Sequence, residues 1–69
     1  MLQLLDVVAL LGDRPEVQLS SGQVGTIVHV YDDENFEVEF ADDDGVTYAL
    51  VTLKARELLK LRYHADAAA

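Results

Sequence analysis

Sixty-nine residues with a formal charge of −8 and no Cys make one small domain, without a disulfide framework or a cysteine zinc site. The charge is uneven: residues 15–53 hold nine acids and no Lys or Arg, while the remainder holds five bases against four acids. Binding a nucleic acid requires Lys and Arg to neutralise phosphates, so nucleic acid and anionic membranes are excluded as partners, and a basic protein is the natural complement.

The N-terminal stretch MLQLLDVVALLGD lacks a basic leader region, carries Asp6 inside its apolar run and has no A-x-A site, so it does not read as a signal peptide. No run reaches the roughly 18 apolar residues of a membrane helix. A soluble, cytoplasmic, bacterial-type protein is the expectation. Residues 4–11, LLDVVALL, are rich in β-branched and apolar side chains and predict a first strand. Both faces of that strand are apolar. Asp6 favours Leu5, Val7, Ala9 and Leu11 over Leu4, Val8 and Leu10 as the inward set, but with both faces apolar the sequence leaves the register open.

Residues 12–22 read as a long loop in which Asp13 and Glu16 fit a capping box around Pro15, predicting one short helical turn. Residues 23–31, QVGTIVHVY, alternate as a second strand, with Gly25 marking a bulge or a close backbone approach. A turn at residues 32–35 leads to Phe36, Val38 and Phe40, which alternate with Glu37 and Glu39. That pattern predicts a third strand with its apolar side chains inward and its carboxylates outward. Residues 42–45, DDDG, supply the Asp-Gly pair of a tight hairpin turn. Residues 46–53, VTYALVTL, predict a fourth strand. A helical or 3-10 turn near residues 54–57 and a closing strand at 58–63 complete the series, and the tail 65–69 has nothing to pack. The expected architecture is all-β: a small five-stranded SH3-like barrel over residues 1–64, with a short 3-10 turn before the last strand.

The segments LLDVVALL, GQVGTIVHV, FEVEFADDDG and LVTLKARELLKL, in that order and spacing, resemble a family of short bacterial proteins defined only as a domain of unknown function. The resemblance covers roughly residues 4–62 and implies no activity. A looser similarity, through Gly22, Val24, Gly25, Thr26, Ile27 and Val28 and the following EVEF, is to SH3-like and KOW-type barrels, including that of the nitrile hydratase β subunit. KOW modules often use basic loops on RNA or ribosomal partners. Here the corresponding loops, 32–35 and 42–45, are acidic.

The candidate contact set is Asp32, Asp33, Glu34, Glu37, Glu39, Asp42, Asp43 and Asp44, with Ile27 and Tyr31 as apolar neighbours. Like charges across adjacent strands repel, and a merely solvated face is normally diluted with Lys. The other reading is a solubilising outer face that blocks edge pairing. Nothing points to catalysis: there is no Cys, no Gly-x-Ser-x-Gly elbow and no phosphate-cradling loop, and no cofactor is implied. Consecutive Asp residues in a tight turn cannot converge on one ion, and His29 and His64 lack zinc-ligand spacing. His29 is expected on the outer face beside the carboxylates. Tyr31, Tyr48 and Tyr63 with Phe36 and Phe40 could line a peptide groove, against which the parity of the two Phe residues argues for core. Lys54, Arg56, Lys60 and Arg62 form the one cationic segment and could meet the acids of a second copy. Three roles follow: an acidic module binding a basic protein, of the antitoxin or immunity type; a structural, homo-oligomer-forming module or enzyme-subunit-like accessory; or a KOW-like module on a ribonucleoprotein that binds protein rather than RNA.

Overall fold

The computed structural model describes residues 1–62. Five antiparallel strands, β1 (Val7–Leu10), β2 (Val24–Val30), β3 (Asn35–Ala41), β4 (Thr47–Lys54) and β5 (Leu58–Lys60), form one sheet in the order β4-β3-β2-β1-β5. Two 3-10 turns punctuate it, η1 (Pro15–Val17) in the first loop and η2 (Ala55–Glu57) between β4 and β5. Strands β4 and β5 are opposite edges of the sheet. Laid flat, they would stand about 19 Å apart, four spacings of 4.7–4.9 Å. Yet η2 joins them in a single 3-10 turn, which rises only about 2 Å per residue. The sheet must therefore curl until its ends approach, giving the expected barrel-like all-β fold.

The curled sheet encloses Val8, Leu10, Leu19, Ile27, Phe36, Val38, Phe40, Leu53 and Leu58. Strand β3 supplies three of these at alternate positions, as its sequence pattern requires. Strand β1 settles the register that its sequence leaves open, against the set that Asp6 favours: Val8 and Leu10 are buried, while Leu5 and Leu11 are exposed. Asp6 does not disturb that parity because it precedes the strand. Leu5 adopts a left-handed backbone, φ 71°, and the turn it forms takes Asp6 out of the pleat. There the Asp6 carboxylate accepts from the Gln3 amide and meets Lys60 Nζ at 3.5 Å.

The loop turn forms where expected, but not through the expected capping box. Arg14 stands at the N-cap of η1 without a side-chain cap bond, and Asp13 instead accepts from the Ser21 amide at 2.8 Å. Leu19 is buried beneath this loop. Gly25 marks a close approach: a Cβ there would sit 2.7 Å from Val38 Cγ1 and 2.8 Å from the Glu39 carbonyl oxygen. The bulge of β2 lies further on, between Ile27 and His29. In the closing segment β5 is shorter than expected, although the Leu61 amide extends its pairing by donating to the Val7 carbonyl. Tyr63, His64 and the tail 65–69 lie outside the described residues.

Candidate functional site

The acidic side chains take their positions from the β2–β3–β4 meander. Glu37 and Glu39 alternate with the buried Phe36, Val38 and Phe40, so both point outward. Each is half-buried against the neighbouring strand and oriented by a threonine. Thr52 Oγ1 donates to Glu37 at 2.6 Å, and Thr47 Oγ1 donates to Glu39 at 2.7 Å. The Tyr31 hydroxyl adds a longer bond to Glu37, at 3.3 Å. His29 lies opposite Glu37 in the ladder, and its ring meets Tyr31 edge-on with centroids 4.6 Å apart. The bulge allows this. Strict alternation would send His29 inward after Ile27, and the extra residue, Val28, returns it to the outer face.

The two acidic turns lie at opposite ends of β3, because a strand shared by two hairpins receives one turn at each end. Seven residues at about 3.4 Å per residue separate them by roughly 20 Å. The run that is continuous in sequence thus becomes a strip: residues 32–34 at one pole, Glu37 and Glu39 between, residues 42–44 at the other. Within each pole one carboxylate is occupied by its own turn. Asp32 accepts from the amides of Glu34 and Asn35 and from the Asn35 side chain. Those bonds, led by the Glu34 amide, hold its pKa below the ordinary value. Asp42 accepts from the amides of Asp44 and Val46, while Gly45 takes the positive φ, 81°, that closes the turn. No such bond engages the carboxylates of Asp33, Glu34, Asp43 or Asp44 among the described contacts, and all four residues are exposed.

A family model described as a domain of unknown function, DUF4926, matches residues 4–60. The chain belongs to the DUF4926 family. The match begins just before β1 and ends on the last residue of β5, so the DUF4926 domain is this curled sheet with both of its 3-10 turns. No curated protein and no solved structure matches the chain.

The DUF4926 cations lie mostly away from the strip. Arg14 bonds Glu16 at 2.5 Å and Glu57 at 2.6 Å. Its hydrogen bonds to those two carboxylates raise the guanidinium pKa, and the same bond from Arg14 lowers that of Glu16. Burial pushes the Glu57 carboxyl up, but the Lys54 amide and the Arg14 side chain together pull it below the ordinary range. Lys60 pairs with Asp6. Lys54 alone reaches the strip, donating to Asn35 Oδ1 at 2.7 Å beside the Asp32 turn. Arg56 is exposed and, with Glu34, Lys54 and Ala55, borders a depression of about 70 Å³. Substrate pockets run from about 300 Å³ upward. Among the described residues no group of three or more His, Asp or Glu side chains could hold a metal ion, and no helix is long and apolar enough to cross a membrane.

Ile27 is corrected. It is fully buried, opposite Val38 at the centre of the sheet, and cannot touch a partner. Val7 and Val51 are half-buried, and Val51 packs on the core. Tyr31 is exposed as expected. Among the exposed apolar residues that sequence reasoning did not single out, Leu50, 57% exposed, faces Glu39 across the ladder. Its signal was present: Leu50 shares parity with Thr52 within VTYALVTL. The tyrosines form no common groove among the described residues. Tyr31 adjoins the residue 32–34 pole, whereas Tyr48 sits near the other, against Phe40 and Gln23.

Proposed function

We propose that this DUF4926 chain is a small acidic binding module that docks a basic protein and has no catalysis of its own. One observation carries the reading. The outer face of β3 and the turns at its two ends carry eight carboxylates, and among the described residues Lys54 is the cation hydrogen-bonded to that strip. Fixing Glu37 and Glu39 with threonines removes side-chain freedom before any encounter, which lowers the ordering cost of binding. The two poles would steer a basic partner, and Leu50 and Tyr31 would give it apolar contact once docked. In this reading the barrel is of the SH3-like kind, the setting is the bacterial cytoplasm, and the relationship to the partner is that of an antitoxin or immunity protein, occluding a basic surface.

The test is capture from a lysate of the native cell, with the tagged chain and a variant that removes only exposed, unengaged charges: Asp33→Asn, Glu34→Gln, Asp43→Asn and Asp44→Ser. Asp32 and Asp42 are kept because they hold the turns. The reading expects a stoichiometric basic protein that is lost at high salt and lost from the variant. Absence of any stoichiometric partner, or a partner retained equally by the variant, would sink it.

A further inference from the structure

Among the described residues the curled sheet keeps two free edges, and they are unequal. Strand β5 has three residues and ends in Lys60, the short, charged kind of edge that resists pairing. Strand β4 has eight residues, THR-TYR-ALA-LEU-VAL-THR-LEU-LYS in order, with no Pro and no charge before Lys54. Among the described residues it is hydrogen-bonded on one side only, to β3. Its ladder irregularity is confined to the Tyr48 end, so, among the described residues, 49–53 present a regular row of outward backbone groups without a strand partner, while the Lys54 amide is taken by Glu57. Outside that row stand Leu50 and Tyr48, 57% and 49% exposed.

The charge along this edge is also ordered. Strand β4 starts directly after the acidic turn 42–44 and ends in Lys54, with the exposed Arg56 just beyond in η2. Antiparallel pairing of β4 with another β4 about a two-fold axis lays each cationic end on the other's acidic end. With the axis at Leu50, residues whose numbers sum to 100 face each other. Leu50 then meets its own copy, Thr52 faces Tyr48, Lys54 faces Val46, and Arg56 reaches Asp44. Parallel or head-to-head arrangements would instead bring acidic turns together, which is unfavourable.

We infer that the β4 edge is a self-association surface whose occupant is a second copy of this chain, paired antiparallel through β4 to form one continuous ten-stranded sheet. The contact is one strand wide, below the roughly 1,200–2,000 Å² of a standard interface, so the dimer is weak and its population depends on concentration. It leaves the outward carboxylates of β3 free but shares Leu50 and Asp44 with the proposed docking surface, and it is told apart from that proposal because the purified chain contains no basic partner.

Sedimentation velocity on the purified chain, from micromolar to millimolar concentration, tests this. The expected result is a monomer–dimer equilibrium weakened on the order of tenfold by Arg56→Glu or Asp44→Lys alone, and restored when both are combined, because the swapped charges again face each other. Leu50→Lys abolishes it. All three positions are exposed, and circular dichroism confirms that each variant stays folded. Amide exchange at millimolar concentration should show added protection in residues 49–53. A monomer at every concentration overturns the inference, as does a dimer indifferent to Leu50→Lys and to the charge swap.

Discussion

Gly25 is the point at which β2 comes closest to β3, and replacing it with Ala is the sharpest test of the packing. The added Cβ would lie 2.7 Å from Val38 Cγ1, 2.8 Å from the Glu39 carbonyl oxygen and 3.1 Å from Phe40 Cδ2. Ordinary carbon contacts lie at about 3.5–4.0 Å, so the overlap approaches 1 Å. Neither neighbour can yield cheaply. Val38 and Phe40 are fully buried, and the carbonyl belongs to the β3 backbone, which is held in ladders on both sides. Overpacking of this kind costs about 1–3 kcal/mol. Restricting the unfolded chain returns about 0.4–1 kcal/mol, leaving a net loss of about 1–2 kcal/mol. At about 0.05–0.15 kcal/mol per residue, total stability is about 3–10 kcal/mol, so the loss is a large fraction of it. A loss of about 2 kcal/mol lowers the melting temperature by about 8–16 °C. Urea and thermal unfolding followed by circular dichroism measure it. Gly12→Ala is the control, because nothing lies within 4 Å of its added Cβ, and it should be neutral or slightly stabilising. A Gly25→Ala protein as stable as the parent, or a Gly12→Ala protein equally weakened, would refute the close-approach reasoning.

Two further perturbations separate structural acids from surface acids. Glu57 joins η2 to the first loop through Lys54 and Arg14. Its carboxyl is held below the ordinary value of 4.5, so its contribution is fully present above that pH and is lost as pH falls through the lowered value. Glu57→Gln should cost about 1 kcal/mol at neutral pH, a charge-assisted bond discounted for partial exposure. The gap to the parent should close below about pH 4.5 in acid unfolding, and a gap that widened there would contradict the sign. Asp42→Ala removes the acceptor of two turn amides and should cost about 1–2 kcal/mol, whereas Asp43→Ala should leave the urea midpoint unchanged.

Strand β3 was fully legible in the sequence, since aromatic and Val residues alternating with carboxylates leave one choice of face. The same held for the turn chemistry of Gly45 and the 3-10 turn before the last strand. Strand β1 was not legible, because both its faces are apolar and the positive φ of Leu5 detaches Asp6 from the parity it appears to set. Ile27 was misplaced for a related reason. The second strand has apolar residues on both parities, and only its register against Val38 shows which side faces the core. The acidic block looked like one patch because sequence proximity does not register that two hairpin turns fall at opposite ends of their common strand. The threonines that orient Glu37 and Glu39 arrive from β4 and depend on a pairing register that local pattern does not contain.

The central claim is that the acidic strip steers a basic protein, and the association rate constant measured against ionic strength tests it most directly. With the captured partner immobilised, binding of the parent chain should be fast at low salt and fall steeply as salt rises. The variant lacking the exposed charges of residues 33, 34, 43 and 44 should associate on the order of tenfold more slowly at low salt, with a flatter salt dependence and a nearly unchanged dissociation rate. Equal association rates for the two proteins across the salt series would contradict the account.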